Sequence, residues 1–566
     1  MHGRVKVRTS EEQAAAKKLE REKKIKKYQG VTEEIYARRE AGSLDEELLK
    51  LTETLLAWNP DHYTVWNIRR EVIVNILTYS EVEAKTELFK RELHFLEMCL
   101  KVNPKSYGTF MQRRWVMSNN PDPDWKHELA LCDLFLSYDE RNFHCWDYRR
   151  FSIGKSEISP MEELEFSQKK IESNLSNYSA WHYRSKLLPL CYPADTLLPS
   201  VSADSSSVQE DKLLQEFDIV TNAIFTDPND QSTWFYQQWL LGRAHKEERL
   251  LFFMHFPSNQ MLLLVFNQPV NKDLLNEVQV LISGNILQLE WSAHGSPPTW
   301  PCSLWTAVLI SVDTSVNLEC RFRERALNLF TSSVCAPSVN LEEIGPAISL
   351  TAAKSGVLHT HCEAICELLS IEPDNKWCHL TALQLRWAID PDSSAAKIMD
   401  HFSALEKEDP HRKGCYQDMK SKFLIETGIP SFLKKRDFSH LNLSGLGLTR
   451  LYHTHFFSAV SILDLSNNRL TNMQGLSVLV TCQELNLDGN LLTEVEEDIL
   501  FLIRLRILSL KSNLIEKEDS LLLLEKIDSI HQLNIEGNPI LKERDSSLLI
   551  NLFSNLILNC GATSTS

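Results

Sequence analysis

Apolar and polar positions alternate along the first part of the chain with the period of an α-helix. From Leu44 to Leu55 an apolar residue occurs at every third or fourth position, which places these residues on one helix face. Asn59-Pro60 ends the segment, because the residue before a proline disfavours helical backbone. A second helix is predicted after this turn, with one face formed by Tyr63, Trp66, Arg70 and Ile73.

The same unit of two helices and a turn recurs, which predicts a helical repeat. The aromatic residues that mark the second helix are 44, 36 and 35 residues apart, at Tyr63, Tyr107, Phe143 and Tyr178. Related segments lie at 103–114, 141–150, 176–185 and 227–239, with a final echo at 372–387. A serine-rich segment at 197–211 separates the fourth and fifth copies and is interpreted as a loop.

The pattern changes near residue 245. Between about 250 and 325 the apolar residues form short runs such as FFMHF, LLLVF and VQVLI, separated by Asn, Pro and Gly. Such runs predict five to seven β-strands in an immunoglobulin-like β-sandwich. Cys302, Trp305 and Cys320 lack the spacing of an immunoglobulin disulfide core, so only the architecture is predicted. Because helical periodicity resumes near 350, the sandwich is an insertion into the helical domain.

A third pattern begins near residue 437, where segments of the form L-x-L-x-x-N follow one another. They start 22, 22, 23 and 25 residues apart, at Leu441, Leu463, Leu485, Leu508 and Leu533. Four of them have asparagine at the sixth position, at Asn468, Asn490, Asn513 and Asn538. This spacing is typical of leucine-rich repeats, in which leucines fill a stacked core and each Asn amide bonds backbone groups at the bend. The first copy has Leu446 instead and is interpreted as a cap.

These patterns predict a multidomain, mainly α protein, in which an α–α superhelix of repeats carries an inserted Ig-like β-sandwich and C-terminal leucine-rich repeats. The expected boundaries are 1–244 for the helical repeats and 245–348 for the inserted sandwich. The last helices of the helical domain are expected at 349–436, and the leucine-rich repeats at 437–566.

Charge and cysteine content narrow the classes of function. A net charge of −16 argues against general binding to nucleic acid or to an anionic membrane, because both select basic surfaces. Residues 1–27 carry ten Lys or Arg against four Glu and are interpreted as a solvated helical arm. No run of 18 apolar residues occurs, so no membrane span is expected. Thirteen cysteines without a secretory signal favour reduced thiols and a cytoplasmic location.

No motif of a self-sufficient active site is present. The chain lacks a phosphate-binding G-x-x-x-x-G-K-[ST] loop, an H-E-x-x-H zinc motif and a C-x-x-C pair. The segment HTHCEAIC brings together His359, His361, Cys362 and Cys366, three of which share a helix face. A fourth ligand and the usual loop spacing of a zinc site are missing, which favours ordinary helix residues. His453 and His455 are interpreted in the same way.

The motif Tyr-x-x-Trp-x-x-Arg, on a helix after Asn-Pro, resembles the repeat of the protein prenyltransferase α-subunit family. It is most complete in NPDHYTVWNIRR (59–70), with ERNFHCWDYRR (140–150) and NYSAWHYRS (177–185) close to it. The resemblance covers about residues 20–240 and 350–390, and the added sandwich and leucine-rich repeats are similar to the Rab geranylgeranyltransferase (type II) branch. The second copy departs from the motif with Phe110 in place of Trp, and the fifth with Gln237-Gln238 in place of Arg.

The aromatic and arginine residues of successive repeats are expected to line one surface of a solenoid. Because aromatic residues and arginine are enriched at protein interfaces, this surface is predicted to contact a partner. Its residues are Tyr63, Trp66, Arg70, Trp146, Arg150, Tyr178, Trp181 and Arg184. The alternative is that they join neighbouring repeats, and for each tryptophan it has equal weight, since a large aromatic at helical spacing is usually buried.

The resemblance implies that a β subunit holds a catalytic zinc and the isoprenoid diphosphate, and that this chain lends residues to that site. At the matching positions of the second and third repeats stand Lys105, Tyr107 and His144. The resemblance makes Lys105 the cation that meets the diphosphate, and Tyr107 and His144 hydrogen-bond donors. His2 is a further hypothesis, since a histidine on a basic N-terminus would reach the partner's zinc.

The implied activity is transfer of geranylgeranyl from its diphosphate to C-terminal cysteines of Rab GTPases. It requires an obligate heterodimer with the β subunit, and the Rab substrates arrive bound to Rab escort protein. One alternative is a non-catalytic scaffold of helical and leucine-rich repeats, although the 34-residue tetratricopeptide signature does not fit. Another is the α subunit shared by farnesyltransferase and type I geranylgeranyltransferase, against which the appended domains argue.

Overall fold

A computed structural model of the chain divides into two compact units, Met1–Ser206 and Ser207–Ser566. The residues that it describes are 11–79, 81–193, 208–241, 248–256, 260–282, 284–294, 302–309, 318–323, 325–329, 334–335, 352–434, 439–543 and 557–559. His2 lies outside them. No helix in these ranges is long and apolar enough to cross a membrane.

The described part of the first unit is built from α-helices joined by short turns. They are α1 (Glu11–Glu40), α2 (Glu46–Trp58), α3 (Tyr63–Thr78), α4 (Val82–Val102), α5 (Tyr107–Asn119), α6 (Trp125–Tyr138), α7 (Phe143–Ile153), α8 (Pro160–Ser173) and α9 (Tyr178–Cys191). From α2 onward each even-numbered helix packs on the odd-numbered helix that follows it, and α3, α5 and α7 contact one another in order. This confirms the predicted repeat of two helices and a turn.

A polar side chain fixes the turn between the two helices of a repeat. The first turn residue accepts a hydrogen bond from the backbone N–H two residues on, which ends one helix and starts the next. Asn59 accepts from Asp61 N at 3.2 Å, and Asn103 from Lys105 N at 3.1 Å. The next two turns repeat this contact, Asp139 accepting from Arg141 N at 3.1 Å and Asn174 from Ser176 N at 3.0 Å.

The second unit continues the helical repeat on both sides of a β-rich segment. Its helices are α10 (Glu210–Thr226), α11 (Gln231–Leu241), α12 (Ala352–Ile371), α13 (Lys376–Ile389), α14 (Ala395–Glu408), α15 (Lys413–Lys434), α16 (Glu518–Leu521) and α17 (Ile540–Glu543). The pair α10 and α11 contacts the pair α12 and α13, so helices separated by more than 100 residues are neighbours. The predicted return of helical structure near 350 is therefore confirmed.

Two antiparallel sheets lie between α11 and α12. Their strands are β1 (Leu250–Phe256), β2 (Met261–Val270), β3 (Val278–Ile282), β4 (Asn285–Leu287), β5 (Ser292–Ala293), β6 (Cys302–Val308), β7 (Leu318–Phe322), β8 (Arg325–Leu329) and β9 (Val334–Cys335). One sheet has the order β5-β6-β2-β1-β9 and the other β4-β3-β7-β8. Phe266 of β2 packs on Phe322 of β7, with ring centroids 5.4 Å apart. Seven of these strands, β1 to β7, lie between residues 250 and 325, as the upper limit of the prediction has it, and β8 and β9 follow beyond that segment.

The C-terminal segment forms a parallel sheet of short strands. They are β10 (His440–Asn442), β11 (Ile462–Asp464), β12 (Glu484–Asn486), β13 (Ile507–Ser509), β14 (Gln532–Asn534) and β15 (Ile557–Asn559). The predicted asparagines act as expected. The Asn468 amide donates to Leu443 O and Leu465 O, both at 2.9 Å, and its oxygen accepts from Leu448 N at 3.0 Å. Asn490 and Asn513 repeat these contacts one strand further on each time.

The parallel sheet and the antiparallel sheets of the second unit touch each other. His294 Nε2 lies 3.0 Å from Ser477 O, and His455 Nε2 lies 3.1 Å from Asn267 O. Apolar side chains of the two regions belong to one continuous core. The sheets inserted between α11 and α12 are therefore supported by the C-terminal segment.

Candidate functional site

The tryptophans predicted for the partner surface are buried inside this chain. Trp66 and Trp146 are 2% exposed and Trp181 is 1% exposed. Each indole N–H donates at 2.8 Å to the carbonyl six residues earlier, which belongs to the turn before its own helix. Burial thus contradicts the partner prediction for these three residues. Trp66 packs on Phe95 at 6.0 Å and Trp146 on Tyr183 at 5.5 Å between ring centroids, so these two have the alternative role of joining neighbouring repeats.

The same contact recurs in the second unit. Trp234 donates to Pro228 O at 2.9 Å, and in the last copy His379 Nε2 lies 2.9 Å from Pro373 O, again six residues away. The second copy has Phe110, which cannot donate. There the carbonyl of Pro104 accepts from the side chain of Asn142 at 2.8 Å instead.

The arginines divide into a buried and an exposed set. Arg184, predicted for the surface, is 3% exposed and its guanidinium lies near Leu164 O, so that prediction is also wrong. Arg70 is half-buried and donates to Gln112 at 2.6 Å, whereas Arg150 is exposed beside Asp147. The buried arginines that sequence reasoning missed lie three residues after each Trp or Phe, at Arg69, Arg113 and Arg149.

Each of these arginines joins its repeat to the next through a buried glutamate. Arg113 makes two hydrogen bonds of 2.6 Å to Glu128, and Tyr148 donates to the same carboxylate. Burial opposes the charge of Arg113, but Glu128 outweighs it and the pKa of Arg113 is raised. The tyrosine stands 20 residues after the glutamate. The interval recurs in two further sets, Arg149–Glu163–Tyr183 and Arg69–Glu92–Gln112.

A neutral pair replaces this ion pair between the last two repeats. Gln237 stands three residues after Trp234, and His361 stands 20 residues before Thr381, so they occupy the arginine and glutamate positions. The Gln237 amide bonds His361 Nε2, and Thr221 lies 2.7 Å from His361 Nδ1. Burial lowers the pKa of His361 to about 4, so the ring is neutral at pH 7.

The histidines and cysteines that were weighed as zinc ligands have other partners. Cys366 accepts from Arg386 at 3.1 Å, and His453 lies 2.7 Å from Glu426. His359 bonds the carbonyl of Ser355 in its own helix at 2.7 Å. In the ranges that the structure describes, no group of three or more His, Cys, Asp or Glu is arranged to hold a metal ion.

The aromatic residues at the helix starts form an exposed row. Tyr63, Tyr107, Phe143 and Tyr178 are each the first residue of their helix, in α3, α5, α7 and α9, and are 49% to 55% exposed. An exposed large aromatic is an exception to the tendency of such residues to be buried. Tyr63 and Tyr178 thus lie on the surface where a partner interface was predicted.

The three residues expected to lend chemistry lie together at the neighbouring starts of α5 and α7. The rings of Tyr107 and His144 meet edge to face with centroids 4.1 Å apart. Lys105, two residues before α5, is 61% exposed and its Nζ lies 2.9 Å from Asp139 Oδ2. His144 is 7% exposed, and its pKa is lowered by burial and by the nearby Lys105 charge. The site therefore offers a cation, a phenol and a neutral imidazole within one turn of two adjacent helices.

A cavity of about 450 Å³ opens beside these residues. Tyr107 and His144 line it, together with Tyr178, Arg150 and the buried Trp146 from the predicted partner surface. Sequence reasoning missed three polar lining residues: Arg114, Asp147 and His182. Asp147 lies 2.8 Å from Arg114 and 3.4 Å from Arg150, so the cavity wall holds two cations and one carboxylate. Such a wall suits an anionic ligand or a polar chain segment.

Comparison with known proteins agrees with the repeat. The family described as "Protein prenyltransferase alpha subunit repeat" matches residues 45–76, 89–120, 125–156, 160–191 and 213–244. Each of these ranges covers most of one helix pair, from α2 and α3 to α10 and α11. The pair α12 and α13 is a further copy by its contacts, although it lies outside the matched ranges.

Relatives from several organisms carry the name "Geranylgeranyl transferase type-2 subunit alpha". The proteins of Mus musculus and Homo sapiens are both 39% identical, over 96% of this chain and 97% of the mouse protein, and over 95% of this chain and 96% of the human protein. The Schizosaccharomyces pombe protein is 37% identical over 254 residues, which are 43% of this chain and 72% of that protein.

One solved structure, "Candida albicans protein geranylgeranyltransferase-I complexed with GGPP", aligns with 70% of this chain and 91% of its own chain, with 16% identity and a TM-score of 0.41. The mouse and human proteins are similar along almost their whole length. On that ground, this chain belongs to the family of geranylgeranyl transferase type-2 α subunits.

Proposed function

We propose that this chain is the α subunit of a heterodimeric Rab geranylgeranyltransferase. The enzyme transfers geranylgeranyl from geranylgeranyl diphosphate to C-terminal cysteines of Rab GTPases, which Rab escort protein presents. The observation that carries the proposal is the convergence of Lys105, Tyr107 and His144 at the starts of α5 and α7. A cation and two hydrogen-bond donors at one point are what a departing diphosphate requires.

The contribution of this chain is stabilisation of the leaving group. As the bond between the isoprenoid carbon and oxygen breaks, negative charge grows on the diphosphate oxygens. The Lys105 ammonium and the Tyr107 hydroxyl each donate a hydrogen bond to these oxygens. His144 is held neutral by burial and by Lys105, so its ring has one N–H to donate and takes no proton from the site.

The zinc of the family is placed on the β subunit, as the resemblance implies. The described residues of this chain offer no cluster that fits a metal ion. When bound to the partner, zinc lowers the pKa of the substrate cysteine thiol. A contact between His2 and that zinc remains a hypothesis, because His2 lies outside the described residues.

The partner surface is proposed to be the row of exposed helix starts and the cavity beside it. Of the predicted interface residues it retains Tyr63, Arg70, Arg150 and Tyr178, which keep exposed or half-buried side chains. Tyr107 and Phe143 extend the same row. Exposed aromatics flanked by arginine are typical of the anchors that a protein partner covers.

The remaining parts of the chain are assigned as accessory domains in a cytoplasmic protein. We identify the two antiparallel sheets as an Ig-like sandwich and the parallel sheet as leucine-rich repeats, with boundaries at 1–244, 245–348, 349–436 and 437–566. The fission yeast relative, which carries the same name, matches only 43% of this chain. Catalysis is assigned to the helical repeats because Lys105, Tyr107 and His144 lie in them, and the accessory domains are assigned to other tasks.

Co-expression with candidate prenyltransferase β subunits tests the proposal. We expect a stable heterodimer that modifies a Rab GTPase in the presence of Rab escort protein and geranylgeranyl diphosphate, while the chain alone is inactive. Failure to bind any β subunit would favour the scaffold alternative. Modification of farnesyltransferase or type I substrates instead would favour the shared α subunit.

A further inference from the structure

The turns between paired helices differ at one position in a way that the fold does not require. In five turns a side-chain oxygen accepts from the backbone N–H two residues on, and the residues are Asn59, Asn103, Asp139, Asn174 and Asp227. Three of the five are asparagine and two are aspartate, so the turn forms equally with a neutral amide and with a carboxylate. The turn itself therefore does not explain why position 139 is charged.

The explanation lies in the contact that each turn makes with the preceding one. In the first such contact the Asn103 amide donates to the Asp61 carboxylate at 2.7 Å. In the next contact the donor and the acceptor exchange turns, so that Lys105 of the earlier turn donates to the Asp139 carboxylate of the later turn at 2.9 Å. Lys105 occupies the place of Asp61, and Asp139 the place of Asn103. The exchange places an ion pair on the lysine of the candidate site.

This ion pair is exposed enough for another anion to replace the carboxylate. The side chains of Lys105 and Asp139 are 61% and 37% exposed. The second carboxylate oxygen of Asp139 stays on the backbone N–H of Arg141, so the carboxylate remains in place when the lysine moves. The hydrogen bond from Lys105 lowers the pKa of Asp139, so the carboxylate is ionised at neutral pH.

We propose that Asp139 is a positioning residue that holds the Lys105 ammonium and competes with the diphosphate for it. This inference rests on the proposed function of Lys105 as the cation that meets the diphosphate. An ammonium already paired with a carboxylate attracts a bound diphosphate less strongly in the ground state. The competition has its largest effect after transfer, when inorganic pyrophosphate must leave the site. Asp139 thus lowers the affinity for the product while leaving the lysine oriented for the reaction.

The test measures the affinity of the α–β heterodimer for inorganic pyrophosphate. Asp139→Asn keeps the shape of the side chain and the turn, as the three asparagine turns demonstrate, and removes the charge. We expect pyrophosphate to bind about 2- to 5-fold more tightly, a range set by the strength of exposed ion pairs. A variant that merely damaged the turn would weaken binding, so tighter binding distinguishes the two.

Two further variants isolate the ion pair. Asp61→Asn removes one negative charge from the neighbouring turn, where no lysine is paired, and we expect less than a twofold change. In a Lys105→Ala background the gain from Asp139→Asn should vanish. Unchanged affinity for Asp139→Asn, or an equal gain without Lys105, would overturn the inference. If Lys105→Ala alone alters neither pyrophosphate affinity nor transfer, the proposed function itself fails.

Discussion

The buried interior of the helical repeats and their exposed helix starts both use aromatic and basic residues, the interior for contacts within the chain and the helix starts for the surface. In the interior, Arg113 is fully buried and held by Glu128, and Trp146 donates to a turn carbonyl of its own chain. At the helix starts, Tyr107 and Tyr178 project half-exposed, and Lys105 is paired at the surface. The interior keeps an arginine–glutamate pair in three successive repeats, whereas the position two residues before each helix start holds Asp61, Lys105, Arg141 or Ser176.

This difference means that two adjacent arginines of one helix can have different roles, one inside the repeats and one nearer the surface. Arg69 and Arg70 are neighbours in sequence, but Arg69 is buried against Glu92, while Arg70 is half-buried and donates to Gln112. Arg149 and Arg150 divide in the same way. A motif that marks an arginine without fixing its exact position cannot tell the two roles apart.

The largest expected effect is loss of one partner from a buried ion pair. Arg113→Met leaves the Glu128 carboxylate buried without its cation, and we expect the free energy of unfolding to fall by about 3–5 kcal/mol. Arg114→Met is the matched control, because its neighbour Asp147 is exposed and the loss should stay below about 1 kcal/mol. Urea denaturation followed by circular dichroism would measure both, and similar losses would contradict the division into buried and exposed sets.

At the helix starts, the largest effect should fall on rate rather than stability. Lys105→Ala in the heterodimer is expected to slow single-turnover prenyl transfer by roughly 10- to 1,000-fold, because the lysine acts as charge grows on the leaving oxygens. Lys105→Arg should recover part of the rate. Lys101→Ala removes another exposed lysine, at the end of α4, and should leave the rate unchanged. A rate for Lys105→Ala within twofold of the wild type would exclude this role.

The neutral pair in the last repeats should lower the free energy of unfolding as the pH falls. Burial lowers the pKa of His361 to about 4 from an ordinary 6.5, so the unfolded state binds more protons between these values. The stability that the neutral ring contributes is complete above pH 6.5 and is lost as the pH falls to 4, by up to about 3 kcal/mol.

Exchanging the pair sharpens this prediction. Gln237→Arg combined with His361→Glu restores the residues found between the earlier repeats and should remove this component of the acid sensitivity. Unfolding of the wild type and the double variant would be measured at pH 7, 6, 5 and 4. The difference between their unfolding midpoints should change as the pH falls. Parallel curves would mean that His361 does not titrate as its burial predicts.

The smallest effect on folding is expected at the exposed aromatic row. Tyr178→Ala should change the free energy of unfolding by no more than about 0.5 kcal/mol, because the ring is half-exposed. The same substitution should weaken β-subunit binding by about 1–2 kcal/mol, measured by titration calorimetry. Trp181→Ala, three residues on and buried, should show the reverse order of effects.

Much of the fold was predictable because periodicity reports directly on local structure. The step of three and four residues from Leu44 to Leu55 indicated α2, and the spacing of Asn468 and Asn490 indicated the parallel strands. The fate of Trp66 was not predictable, since a tryptophan on a helix face suits a partner and a neighbouring repeat equally well. Arg113 was missed because its role depends on Glu128, which lies in the next helix and belongs to no motif in the sequence.

The candidate site was predictable only through resemblance. No rule of spacing connects Lys105 with His144, which belong to different repeats and meet because successive turns stack. Asp139 was invisible for the same reason, since an acidic residue at a turn is common and its partner is 34 residues away. The lining residues Arg114 and His182 also come from separate helices, so only the packed repeats bring them to one cavity.

The pair Gln237–His361 closes a loop of 124 residues, whereas the three ion pairs of the first unit close loops of 23, 15 and 14 residues. By the logarithmic growth of chain entropy with length, a flexible loop of that size costs about 2 kcal/mol more to close than the shorter ones. Folding the inserted sheets first removes much of this cost, because a folded segment with fixed ends is a short loop. We therefore expect the order of folding to run from the insertion outward, with α12 and α13 docking late. A substitution that slows folding of the inserted sheets should also delay α12 and α13. Their amides should then be the last in the helical repeats to become protected from hydrogen exchange.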